Sequence, residues 1–154
     1  MENFHPVVIH FPVALLVSAF AIEAASLIFR RPAWHAVVLW NLALGAAGTV
    51  AAVLSGRMAE ENAKHSFEIE QVLSLHEKIG YGVMALALTL AAVHLWRRGR
   101  WTARSRWVAW VLLAVTCGAM AFGAHLGGRL VYELGVGGSY GRQGGIVVTH
   151  EKKD

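Results

Sequence analysis

Four apolar stretches, at about residues 8–30, 34–56, 76–96 and 107–127, fill most of the chain, and each is long enough as a helix to cross a hydrocarbon core of roughly 30 Å. Lipid offers no hydrogen bonds to bare backbone, so such stretches must satisfy their own amides as helices. Charged residues make up 16% of the 154 positions, against roughly 25% in soluble domains. All but one lie at stretch ends, in connections or in the tails. Little chain is left for a second domain. The expected fold is therefore all-α: an integral membrane four-helix bundle over residues 1–138, up-down-up-down, followed by a polar tail over 139–154. Residues 57–74, where Phe67, Ile69, Val72 and Leu73 alternate with glutamates, read as an amphipathic segment lying on the membrane surface.

The basic residues orient the bundle. Arg30 and Arg31 mark the first hairpin and Arg97, Arg98, Arg100, Arg104 and Arg106 the third, neither with an acid, whereas the middle connection carries Glu60, Glu61, Glu68, Glu70 and Glu77. The positive-inside rule places the arginine hairpins in the cytoplasm and both termini on the extracytoplasmic side. The net charge of +4 then reflects topology and the lipid bilayer as neighbour, with no nucleic acid partner required. The first stretch has no basic leader and no small-residue cleavage site before Arg30-Arg31-Pro32, so it reads as a retained helix and not a signal peptide. Cys117 lies inside the fourth stretch without a second cysteine, which excludes an intrachain disulfide and suits packing.

Against this frame the histidines stand out. His10 is 20 positions from Arg30, His76 is 21 from Arg97 and His125 is 19 from Arg106, intervals of roughly 30 Å in a helix. Three helices thus bring a histidine to the extracytoplasmic end, where His5 and His65 also fall. Imidazoles on facing helices are a common way to hold iron or another transition metal. His10 with His76 is the favoured diagonal pair for non-covalent haem b, with His125 as substitute. Copper or zinc could instead use His10, His76, His125 and His65, although Met58 alone offers a soft thioether beside them apart from Met1. Arg57 and Arg129 stand just beyond the second and fourth helices, suited to haem propionates or to interfacial anchoring. Glu77 can orient His76 or simply suit a helix N-terminus. His35 and His94 at the cytoplasmic end, and His150 in the tail, are expected to be incidental.

Small residues recur every fourth position in Gly48, Ala52 and Gly56 and in Ala119, Gly123 and Gly127, with Gly80 nearby. They give room for a flat macrocycle or let helices pack closely. Glu23 is the one intramembrane charge, and its burial demands protonation or a partner, for which Asn41 lies at similar depth. Thirteen positions place Glu23 roughly 140° around the helix from His10, so the two do not face one axis.

Three motifs carry a resemblance. His5-Pro6-Val7-Val8-Ile9-His10-Phe11-Pro12, the Ser55-Gly56 step with Ala59-Glu60-Glu61 and His76-Glu77, and the exit Gly127-Gly128-Arg129-Leu130-Val131-Tyr132-Glu133-Leu134-Gly135-Val136-Gly137 together resemble the bacterial membrane family catalogued as domain of unknown function 2231. Arg57 stands where some members carry an Asp. The resemblance implies a four-helix module of the bacterial inner membrane, in some members fused to or near redox proteins. Three functions fit these readings: electron transfer through haem b, exchanging with quinone or a periplasmic redox protein; copper or zinc handling; and a structural or assembly subunit of an oligomer or larger membrane complex. A redox carrier or binding subunit is expected over a stand-alone enzyme, since no nucleophile constellation accompanies the histidines.

Overall fold

The computed structural model describes residues 4–60, 66–97 and 100–136. These residues form a short helix α1 (His5–Val8), then α2 (His10–Ile28), a 3-10 turn (Pro32–Trp34), α3 (His35–Glu60), α4 (Phe67–Arg97) and α5 (Ala103–Tyr132). No strand occurs among the described residues. Four helical units have the length and composition to cross a membrane, the first being α1 and α2 together. Pro6 sits in the first turn of α1, where its missing amide donor matters least.

The long helices close into a ring in chain order: α2 packs on α3 and α5, and α4 on α3 and α5. Buried positions of α2 recur as Pro12, Leu16, Ala19, Glu23 and Ser26, a spacing of three and four that defines one helical stripe. Leu16, Ala19, Val38, Leu42, Ala46, Ala87, Leu90 and Leu113 form the centre. Val17, Trp40, Leu44, Leu88, Val111 and Val115 face outward, as lipid requires. The buried hydroxyls of Thr49 and Thr116 donate to the carbonyls of Ala46 and Leu112 on their own helices, so the middle of the bundle carries no unmet hydroxyl there.

The first hairpin turns through Arg30, whose φ of 53° is left-handed. Arg31 N–H reaches back to the Ser26 carbonyl at 3.0 Å, the closure that usually places glycine at this position. At the other hairpin Thr102 and Ser105 cap α5 reciprocally. Beyond the end of α5 at Tyr132, Gly135 takes a left-handed φ of 68°.

The described parts of the expected surface segment over 57–74 belong to the two flanking helices, and 61–65 lie outside the described residues. Residues 57–60 complete α3, while Phe67 onward is continuous with the third span. The glutamates Glu68 and Glu70 fall in the first turn of α4, where the helix dipole favours acids. The expected tail over 139–154, with His150, and also His65, lie outside the described residues.

Candidate functional site

The two ends of the bundle each gather polar side chains around a pair of histidines, separated by the apolar centre. At the end bearing the start of α1, His5 Nδ1 donates to Ser55 Oγ at 2.9 Å; the Ser55 hydroxyl donates onward to the Ala52 carbonyl at 3.0 Å. His76 Nδ1 donates to the Gly123 carbonyl at 2.9 Å. The ring centroids of His5 and His76 are 6.5 Å apart with planes at 88°. A hydrogen bond at one ring nitrogen fixes the orientation of an imidazole, as in metal-ligating histidines; His5 also bonds to the Ala52 backbone.

The expected diagonal partner is not the one seated there. His10 lies two positions before inward-facing Pro12, about 200° around α2, and is exposed, with Nδ1 on the Pro6 carbonyl. His125 likewise follows inward-facing Gly123 by two positions and is exposed. Thus the structure brings together His5 and His76, while His10 and His125 point away from the bundle. Arg129 is paired with Glu133 at 2.9 Å and Arg57 is exposed. Glu77 stands beside Glu60 and Arg57.

Both small-residue stripes are filled by packing. A side-chain carbon on Gly48 would lie 3.1 to 3.2 Å from Phe11 and Pro12, one on Gly56 3.2 Å from the His5 ring, one on Gly123 3.2 Å from Ile79, and one on Gly127 3.3 Å from the His76 ring. Both histidines therefore rest on glycine. Gly80 and Gly128 border open space instead. Among the described residues, no three His, Cys, Asp or Glu side chains converge to hold a metal ion.

The other end is built around Glu23, 1% exposed. Its Oε1 accepts from Arg106 Nε at 2.8 Å and its Oε2 from His35 Nδ1 at 3.2 Å. Arg106 Nη2 donates to Ser26 Oγ at 2.8 Å, and the Ser26 hydroxyl donates to the Arg31 carbonyl at 2.7 Å. This chain ties α2, α3 and α5 to the first hairpin. Arginine keeps its charge in any protein setting, so Glu23 serves as its counter-charge. The expected partnership with Asn41 is corrected: Asn41 Nδ2 donates to the Val37 carbonyl of its own helix at 2.9 Å, because neighbouring Val38 and Leu42 take the inward positions.

His94, 4% exposed, donates through Nδ1 to the Leu90 carbonyl at 2.8 Å. Its ring stacks on His35 at 5.1 Å and lies against Trp101 at 4.4 Å. Sequence reading set His35 and His94 aside as incidental. One signal pointed the other way: eighteen positions separate His94 from His76, five full turns at 3.6 residues each, so both fall on the inward face of α4.

A family model described as a predicted membrane protein matches residues 1–139. No curated protein and no solved structure matches the chain.

Proposed function

The chain belongs to the DUF2231 family of membrane proteins, and from that premise we propose that it is an electron-transfer module holding non-covalent b-type haem between His5 and His76. The observation that carries this reading is the opposed pair itself. His5 and His76, with ring centroids 6.5 Å apart, would hold the iron through their ring nitrogens. Each Nδ1 is already bonded within the protein, which fixes ring orientation before any ligand arrives. Gly80 and Gly128, on the same helices as His76 and Gly123, have no neighbour within 4 Å of a side-chain carbon, so these positions would not obstruct a flat ring. Arg57 and Arg129, exposed or half-exposed at the same end, are cations for its propionates, Arg129 by exchanging Glu133. Haem bound there would supply one-electron chemistry. The protein's own part is to hold two imidazoles and exclude water.

In this reading the arginine hairpins face the cytoplasm of a bacterial inner membrane and both termini face out. The site then reaches lipid-soluble quinone or a periplasmic redox protein. Among the described residues no third or fourth ligand side chain joins the two imidazoles, which favours haem over copper or zinc, since structural sites for those ions take four ligands. A structural or assembly role is the second reading, supported by the fact that the His5–Ser55 and His76–Gly123 bonds already staple neighbouring helices. Haem content of purified variants separates the two. His5→Ala and His76→Ala are expected to lose bound haem while His10→Ala and His125→Ala retain it; loss of thermal stability with no bound haem in any form, native included, supports the structural role.

A further inference from the structure

The basic end holds polar groups for which haem at the other end has no use, and the geometry points to a second site there, one that takes the headgroup of a lipid-soluble quinone. His35, His94 and Trp101 form a single aromatic cluster, with Trp101 4.4 Å from His94 and 5.3 Å from His35 between ring centroids. The Nδ1 atoms of both imidazoles are committed to Glu23 and Leu90, which leaves Nε2 as the second polar atom of each ring. Trp101 Nε1 is buried and has no hydrogen-bond partner among the described residues. A buried donor left unmet is costly. Indole N–H can only donate, so the group it calls for is an acceptor.

Charge narrows that acceptor. Arg97 lies 5.2 Å from the Trp101 ring centroid and Arg106 sits behind His35 on Glu23, which disfavours a metal cation. The Glu23 carboxylate beside His35 disfavours an anion in turn. A neutral carbonyl on a flat ring meets every condition. Its oxygen accepts from Trp101, its face lies on the aromatic cluster, and in the reduced form its hydroxyl donates to an imidazole Nε2. An open surface depression lined by Phe29, Arg31 and Trp34 lies at this end, next to the cluster in sequence but not lined by it. Trp34 immediately precedes His35.

This site does not depend on haem at His5 and His76, so either assignment can fail without the other. The test is calorimetric titration of the full chain in detergent with a short-tailed benzoquinone. Saturable binding is expected, weakened about tenfold by Trp101→Phe, which keeps a ring and removes one hydrogen bond. His35→Gln keeps an amide donor for Glu23 while removing the imidazole and is expected to weaken binding similarly; His5→Ala is expected to leave it unchanged. Absence of saturable binding to the native chain, native affinity retained in both Trp101→Phe and His35→Gln, or displacement of the quinone by inorganic phosphate would overturn the assignment.

Discussion

Glu23 shows how a single residue can be legible in its demand and illegible in its answer. An acid inside an apolar stretch must be neutral or partnered, and the structure supplies Arg106 at 2.8 Å, 83 positions away in the chain. Depth along a helix narrowed the candidates to one layer, yet the direction of each side chain around its helix decided between them, and Asn41 turned to its own backbone. The same limit governed the histidines. His5 and His10 both belong to the opening motif, but the inward register set by Pro12 and Leu16 leaves His10 outside and lets the preceding turn carry His5 in. Removing one member of a buried ion pair strands the other, at a cost of about 3–5 kcal/mol. Glu23→Gln is therefore expected to lower the unfolding temperature in detergent sharply. The double replacement Glu23→Leu with Arg106→Leu should cost less than the sum of its single changes, which a double-mutant cycle measures.

At the scale of helices, stability rests on close approach. Lipid tails are as apolar as leucine, so contact area and fit between helices replace the hydrophobic effect of water. The glycines divide accordingly. Gly48 has the Pro12 ring 3.2 Å from where a side-chain carbon would stand, whereas Gly118 has nothing within 4 Å. Gly48→Ala is expected to destabilise by about 1–3 kcal/mol through overpacking; Gly118→Ala should be neutral or gain up to about 1 kcal/mol of helix propensity. Thermal unfolding of the two variants side by side checks the pair, and equal effects would mean that the ring packing is misassigned. The spans themselves were plain in the sequence, because apolar length needs no tertiary context. The start of α4 was not, since Phe67, Ile69, Val72 and Leu73 among glutamates suit a surface helix as well as the first turns of a longer one. Only Ile69, buried in the bundle, distinguishes them.

Across the whole molecule, two histidine pairs lie at opposite ends of α4, with Leu16, Leu42, Ala87 and Leu113 packed between them at 0 to 2% exposure. Among the described residues this centre is apolar apart from Thr49 and Thr116, whose hydroxyls bond to their own helices. Glu23 has both oxygens engaged by Arg106 and His35 and acts as a lock on three helices. The pair at the α1 end was half-visible in the sequence, through His76 and the His-Pro motif; the cluster at the basic end was hidden because it joins residues from every long helix and the last connection. The proposed haem is the claim on which the functional account turns. The most direct test is the dithionite-reduced minus oxidised visible spectrum of the native chain, purified in detergent after expression with ample haem. The account predicts b-type bands at about one haem per chain, consistent with one bis-imidazole site; a featureless spectrum from folded protein, with or without bound copper or zinc, would contradict it.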